Sequence, residues 1–206
     1  MDAHLFAAFA LAALIIQLVP GPGMLFLVAT GISRGPRAGI AAAVGAAMGV
    51  VIQATATAFG LAALFRAVPL ALDVLKIVGA GYLVWLAVQA FRAPSLTVGA
   101  DGDGRAVSAV RMGARSLVNN LTNPKIALFV VGFLPQFVDQ SRGHVTSQLL
   151  VLGFALAVIG LAVDVVIGAL SGRIGAVLRV RPRLGVHLNR TAGVLYVGLA
   201  GRLLAD

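Results

Sequence analysis

The 206-residue chain has no cysteine, little charge and only two lysines. Without cysteine it can form no disulfide bond, thiol relay or cysteine-ligated metal site. Its three histidines, His4, His144 and His187, lack the spacing of metal ligands, so we expect no metal and no cofactor. Charged residues make up 11% of the chain and apolar residues 60%, with a mean hydropathy of +1.00. A water-soluble domain of this size carries more charge, so the composition predicts a membrane protein.

Long apolar runs recur along the chain, each long enough for the roughly 20 helical residues that cross a bilayer core. Their apolar positions follow a helical period and not the short alternating segments of a membrane β-barrel. The sequence therefore predicts an all-α, multi-pass membrane protein with six transmembrane helices. The predicted spans cover about 4–33, 38–65, 68–91, 114–138, 147–171 and 184–204.

The arginines indicate the orientation of these spans. One side of the predicted membrane receives eleven arginines and the other only three, namely Arg66, Arg142 and Arg202. By the positive-inside rule the eleven are cytoplasmic, and six spans then place both termini in the periplasm. This topogenic role explains the basic composition without a nucleic-acid partner.

The chain is predicted to be one transmembrane domain, 1–206, built from two halves. A loop rich in Gly, Ser, Asp and Arg, at about 93–112, separates a first repeat at about 1–92 from a second at about 113–206. Each half holds three spans, and because three is odd the second half must enter the membrane in the opposite orientation. This is the arrangement of an inverted repeat, which is common among transporters.

The first span of each half contains a helix-breaking segment. In the first half it is "PGPG", residues 20–23, and in the second it is "NNLTNPK", residues 119–125. Asn123 before Pro124 is typical of a helix start, because Asn caps free N–H groups and Pro suits the first helical position. Both breaks are predicted near the midplane, where irregular backbone persists only inside protein or along a wet cavity.

Several polar groups lie within the predicted spans, where charge is costly and commonly functional. Lys125 is close to the centre of its span, and Asp164 is on the fifth span. Asp73 and Lys76 are three residues apart on the third span and could pair, with a structural or a functional role. Gln53 could line a cavity or only bond between helices.

Four motifs in order resemble the LysE/RhtB family of bacterial amino-acid exporters. They are "PGPG" in the first span, "GIAAAVGAAMGVV" in the second, "LKIVGAGYLVWLA" in the third and "NPK…FLPQF" in the fourth. The positions that match the family's motifs are Pro20, Gly21, Pro22, Gly23, Lys76, Gly79, Tyr82, Asn123, Pro124 and Lys125. The resemblance implies an inner-membrane exporter of amino acids, not an enzyme, that works as an antiporter against protons.

From the residues and the resemblance together we predict two groups of site residues. The substrate-binding or gating group is Pro20, Gly21, Pro22, Gly23, Gln53, Asn120, Asn123, Pro124 and Lys125, and the proton-coupling or ion-pair group is Asp73, Lys76 and Asp164. The expected partners are an amino acid, protons and membrane lipids, and a homodimer is possible. The identity of the amino acid stays open, as do export of another small solute or a metal ion and a non-transporting membrane scaffold.

Overall fold

The computed structural model describes residues 3–19, 21–67, 71–92, 108–180 and 182–205. Pro20, most of the predicted interhalf loop and the side chains of Asp73 and Lys76 lie outside the described residues. Within the described ranges the chain is helical, with eight α-helices and no β-strand. The helices are α1 (Ala3–Leu18), α2 (Pro22–Arg34), α3 (Pro36–Ala67), α4 (Ala71–Arg92), α5 (Ala109–Leu121), α6 (Pro124–Leu128), α7 (Val145–Val180) and α8 (Pro182–Ala205).

The first predicted span is broken where the sequence predicts it. Helix α1 ends at Leu18, α2 begins at Pro22, and the two axes are bent by 56°. Gly21 is the N-cap residue in an extended conformation, with φ −159° and ψ 178°. Pro22 takes the first helical position, where its missing N–H costs nothing because that group has no helical partner.

The second break lies between α5 and α6, and it bends this segment by 51°. Asn123 is the N-cap of α6, and its side-chain oxygen accepts a hydrogen bond of 3.0 Å from the backbone N–H of Lys125. Pro124 is in the first turn. The predicted Asn–Pro helix start is thus confirmed in its local structure.

Beyond α6 the helix changes its winding. Residues Phe129–Phe133 form a π-helical turn and Leu134–Phe137 a 3-10 turn. Pro135 explains the change, because it has no N–H to donate to the carbonyl one turn earlier. The side chain of Gln136 also bonds to the backbone here, since its Nε2 donates to the carbonyl of Gly132 over 2.6 Å.

Helix α3 is the centre of the helix packing, with α7 and α5 as its main neighbours, while α4 packs on α8. Glycine allows the closest approach between α3 and α7. A Cβ atom on Gly39 would lie 2.7 Å from the carbonyl oxygen of Gly168, so the two backbones touch without side chains between them. Small residues at a helix interface permit this kind of close packing in membranes.

The structure bears out the membrane class and leaves the number of spans a prediction. In the described chain two helical segments, Pro36–Leu61 and Val145–Val177, are long and apolar enough to cross a membrane. The count rises to four if each bent pair forms one span. In the third predicted span the described apolar helix is the shorter segment Ile77–Arg92.

Candidate functional site

The two helix breaks meet in space, and Lys125 joins them. Its Nζ donates a hydrogen bond of 2.7 Å to the backbone carbonyl of Val19, which lies 106 residues earlier. Val19 follows the last residue of α1, where carbonyl groups have no partner within the helix. Lys125 is only 7% exposed, and a buried ammonium needs a hydrogen-bond partner. This one contact therefore satisfies both a buried charge and a helix end.

Two glycines let the breaks approach each other. A Cβ atom on Gly21 would lie 3.3 Å from Cδ of Lys125, and one on Gly23 would lie 3.3 Å from Nδ2 of Asn123. Both distances are shorter than the about 3.5–4.0 Å at which carbon atoms make their best contacts. A side chain at either position would therefore require the neighbouring side chain, of Lys125 or of Asn123, to shift.

The half-helices that follow the breaks differ in how they begin. Asn123 caps α6 with its side chain, whereas Gly21 at the start of α2 has no side chain with which to cap the helix. The N-terminus of a helix carries unpaired N–H groups and the positive end of the helix dipole. Gly21 and Gly23 also line the cavity described below, so this positive helix end adjoins it.

Gln53 on α3 supports the end of α5. Its Nε2 donates to the carbonyl oxygens of Asn120, over 2.9 Å, and of Leu121, over 3.1 Å. These carbonyls belong to the last turn of α5, where helical partners run out. Because the amide nitrogen must face two acceptors, the orientation of the Gln53 side chain is determined. Its oxygen Oε1 is buried and has no hydrogen-bond partner in the described structure.

A polar cavity lies where the two breaks meet, with about 490 Å³ of space including its open mouth. Its uncharged polar lining consists of Gln17, Ser116, Asn119, Asn120 and Asn123. Lys125 contributes a positive charge and Asp164, from α7, a negative one. One small cavity thus holds hydrogen-bonding groups and both signs of charge, in a protein whose described interior is otherwise largely apolar.

Lys125 and Asp164 share the cavity without touching. Each lies close enough to influence the other electrostatically, yet they form no direct ion pair in the described part of the chain. The Lys125 ammonium is bonded to Val19 instead. The two charges therefore face the same space from different walls, and a molecule with both signs of charge could bridge them.

Comparison with known proteins gives the family. The family model described as LysE type translocator matches residues 14–206. A protein of Vibrio cholerae serotype O1, described as an uncharacterized membrane protein, is 33% identical over 100% of this chain and 98% of its own. The leucine efflux protein of an Enterobacter species is 32% identical over 96% of this chain and 94% of its own. The homoserine/homoserine lactone efflux protein of Salmonella typhimurium is 32% identical over 97% and 95%. No solved structure matches.

The chain belongs to the LysE-type translocator family. The resemblance seen in the four sequence motifs is confirmed, and the chain is a membrane transport protein and not an enzyme.

In this LysE-type translocator most of the predicted site residues come together. Gly21, Gly23, Asn120, Asn123, Lys125 and Asp164 line the cavity, while Pro22 and Pro124 begin the two half-helices beside it. Gln53 is not part of the cavity wall. Of the two roles predicted for it, the structure shows the hydrogen bond between helices, from α3 to α5. Pro20 and the side chains of Asp73 and Lys76 lie outside the described residues, so their roles stay predictions.

The sequence prediction missed three polar residues of the cavity wall, Gln17, Ser116 and Asn119, and its apolar residues. Each of the three is a polar side chain within an apolar run or beside a break, which was the available signal. Gln17 lies against Gly160 of α7, where the missing side chain leaves room for its amide. Val19 carried no signal, because it contributes a backbone carbonyl and not a side chain.

Proposed function

We propose that this translocator exports amino acids from the bacterial cytoplasm and that the polar cavity is its binding site. The observation that carries the proposal is the presence of one ammonium and one carboxylate in a single cavity lined by amides. A zwitterionic amino acid has the complementary pair of charges. The efflux proteins to which the chain is similar are named for leucine and for homoserine or its lactone, which fits this substrate class.

The substrate carboxylate binds to Lys125 and to the start of α2. Lys125 supplies a full positive charge, and charge-assisted hydrogen bonds are roughly twice as strong as neutral ones. The uncapped N-terminus of α2 adds N–H groups and a positive dipole end, which favour anions. Gly21 and Gly23 let the backbone and the Lys125 side chain lie close together at this point.

The substrate ammonium binds on the opposite side of the cavity, at Asp164. Side-chain amides add neutral acceptors nearby. The Oδ1 atom of Asn120 is buried and accepts no hydrogen bond in the described structure. A buried acceptor without a donor is unfavourable, and an ammonium with its three donors would relieve it.

Substrate binding draws on the same ammonium that holds Val19. Lys125 has three N–H donors, so the substrate carboxylate can bind to it beside the Val19 carbonyl. Competition for the ammonium weakens the bond between Lys125 and the end of α1. Binding in the cavity is thereby linked to movement between the two halves of the chain.

The remaining parts of the proposal follow from the sequence. The chain crosses the inner membrane six times as two inverted three-helix repeats, with both termini in the periplasm, as the arginine distribution favours. Export is an antiport with protons, and Asp164 is the proton-carrying group, since it is the one carboxylate in the cavity wall. The helix breaks are at the midplane, where both sides of the membrane can reach them in turn.

A divalent metal ion is a poorer cargo for this cavity. Mg²⁺ and Ca²⁺ prefer several oxygen ligands with carboxylates among them, and transition metals prefer imidazole or thiolate. The cavity has one carboxylate, and its Lys125 ammonium would repel a cation. A non-transporting scaffold would have no use for two charges facing one cavity.

Transport by purified protein in proteoliposomes tests the proposal. Vesicles loaded with one unlabelled amino acid should take up the labelled form by exchange, and a panel of amino acids identifies the substrate. Lys125→Met, which keeps the length of the side chain but removes its charge, should weaken apparent affinity about 10- to 150-fold, as expected for loss of a charged hydrogen bond. Lys125→Arg should restore part of it, because the planar fork is bulkier than an ammonium.

Arg37→Met is the matched control, since it also removes one positive charge but at an exposed site at the start of α3. It should leave transport unchanged. Absence of exchange for every amino acid tested, by folded wild-type protein, would contradict the proposed substrate class. Normal affinity in Lys125→Met would contradict the proposed site.

A further inference from the structure

A second, smaller cavity adjoins the first through Lys125. It lies between α1, α4 and the segment that follows the second break, and its empty space, with the open mouth included, is about 210 Å³. Its wall is almost entirely apolar and includes Ile16, Leu83, Leu86, Leu128, Phe129 and Phe133. Lys125 belongs to the walls of both cavities. The polar cavity and the apolar one therefore both border on the Lys125 side chain.

One polar group other than Lys125 stands in the apolar cavity wall, the side chain of Tyr82 on α4. Its ring is stacked on Trp85, with 5.4 Å between the ring centroids. Its hydroxyl is buried and has no hydrogen-bond partner in the described structure. Buried tyrosine hydroxyls normally have a partner, so a residue of this cavity wall carries a hydroxyl whose hydrogen bond is unmade.

We propose that the apolar cavity is the subsite for the substrate side chain, and that the Tyr82 hydroxyl selects for a hydroxyl group on it. This inference rests on the proposed function, because it assumes an amino acid whose carboxylate is bound to Lys125. In such a molecule the side chain is attached to the carbon next to the carboxylate, so it lies within reach of the second cavity. The charged atoms then occupy the polar cavity and the side chain the apolar one.

The wall chemistry defines the substrate class as short aliphatic side chains, with or without a hydroxyl. Aliphatic groups gain free energy when they leave water for a wall of Leu, Ile and Phe. A basic side chain would lose its hydration there, because the described wall has no carboxylate to pair with it. A side-chain hydroxyl, in contrast, can exchange water for the Tyr82 hydroxyl, which both donates and accepts.

Tyr82→Phe tests the role of the hydroxyl because it removes one oxygen atom and keeps the ring. Two pairs of nearly isosteric amino acids, homoserine with norvaline and threonine with valine, differ mainly in a hydroxyl in place of a methyl group. In exchange assays the wild-type ratio of homoserine to norvaline transport should fall about threefold to tenfold in Tyr82→Phe, as expected for one neutral hydrogen bond. The rate for norvaline should stay the same or rise.

Leu86→Phe tests the position of the subsite by adding volume to its wall. It should reduce transport of leucine by at least about tenfold relative to alanine, whose methyl group needs little of the cavity. Val84→Phe is the matched control, because Val84 is 48% exposed on another face of the same helix. It should leave the leucine-to-alanine ratio at the wild-type value.

The outcomes separate the two proposals. Unchanged ratios in both Tyr82→Phe and Leu86→Phe, with normal transport of amino acids, would overturn the side-chain subsite and leave the proposed function intact. Loss of all transport in Leu86→Phe but a shifted ratio in Tyr82→Phe would still support the subsite. Wild-type protein that binds and exchanges no amino acid would overturn both.

Discussion

The ammonium of Lys125, on α6, donates a hydrogen bond to the carbonyl of Val19, at the end of α1. This bond connects the helix that follows the second break to the helix that precedes the first. Neither break would place a functional group correctly on its own. The first break supplies the carbonyl of Val19 and the positive N-terminus of α2, and the second supplies the charge of Lys125. The cavity exists because the two irregular segments lie against each other.

The first break can be removed by substitution. In Pro22→Ala/Gly23→Ala two poor helix formers are replaced by the best one, and the propensity difference of ~3 kcal/mol for Pro and ~1 kcal/mol for Gly favours a continuous helix. A Cβ atom at position 23 also presses on the side chain of Asn123, so the double variant should stay folded in detergent but lose amino-acid binding. Thermal unfolding and exchange in proteoliposomes are the measurements.

Pro36→Ala/Gly60→Ala is its control, because Pro36 is exposed at the start of α3 and a Cβ on Gly60 would meet no atom within 4 Å. This control should transport normally. If the Pro22→Ala/Gly23→Ala protein is folded and also transports at the wild-type rate, the broken helix only shapes the bundle.

Asp164→Asn should separate binding from coupling. The amide keeps the shape of the side chain but takes up no proton, so exchange without a gradient should remain measurable, at a lower affinity because the substrate ammonium loses its charged partner. Export driven by an imposed pH gradient should be lost. Both are measured in the same vesicles, with and without the gradient, at matched protein content.

Asp139→Asn is the control for this experiment. Asp139 lies outside the cavity and pairs with Arg142 at 2.9 Å. The Ser141 hydroxyl, with further help from Arg142, lowers the pKa of Asp139 below its usual value, so this carboxylate stays ionised at neutral pH. Asp139→Asn should leave coupling intact, and gradient-driven export by Asp164→Asn would assign coupling to another group.

The orientation can be measured directly because the chain has no native cysteine. Asp2→Cys and Asp206→Cys should both react with a membrane-impermeant thiol reagent added to the periplasmic side. Ser33→Cys, at the end of α2 where arginines cluster, should react only after the membrane is opened. Protection of both termini would reverse the predicted orientation, and protection of one alone would require an odd number of spans.

Gln53→Leu should destabilise the protein without changing the cavity wall. The variant removes the donor to the Asn120 and Leu121 carbonyls at the end of α5. The Asn120 carbonyl keeps a hydrogen bond from the backbone N–H of Asn123. The variant therefore loses only the two bonds from the Gln53 amide, each worth about 0.5–1.5 kcal/mol, and we expect a lower unfolding temperature in detergent. Thr55→Val is the comparison, since the exposed Thr55 hydroxyl only donates to Val51 of its own helix. Equal unfolding temperatures for the two variants would show that the Gln53 bridge contributes little.

The local features of the site could be predicted from the sequence because local chemistry determines them. Pro22 and Pro124 are favoured in the first turn of a helix. Asn123 caps α6 because its side-chain oxygen accepts a hydrogen bond from the N–H of Lys125, only two residues further on. Lys125 and Asp164 are recognisable as unusual because charge in an apolar span is costly. These signals require no knowledge of the tertiary structure.

Contacts between distant segments could not be predicted in the same way. No sequence pattern indicates that Lys125 reaches the carbonyl of Val19, since any backbone carbonyl looks alike in a sequence. Gln53 was equally compatible with a cavity wall and with a helix bridge, and only the packing of α3 on α5 decides between them. The apolar cavity beside Tyr82 is likewise formed by side chains from segments far apart in the chain.

The π-helical turn at Phe129–Phe133 gives the segment that carries Lys125 a way to change its register. A hydrogen bond in a π-helix joins residues five apart, and one in an α-helix joins residues four apart, so this turn contains one extra residue. If its hydrogen bonds revert to the α-helical pattern, the residues before it rotate by about 100° and advance by about 1.5 Å relative to those after it. After the turn, the ring of Phe137 contacts the rings of Phe9 and Phe133, with 5.4 Å and 5.1 Å between the centroids. These contacts hold the segment after the turn in place. A change of winding at this turn would therefore rotate Lys125 within the cavity while Phe137 stays packed on Phe9.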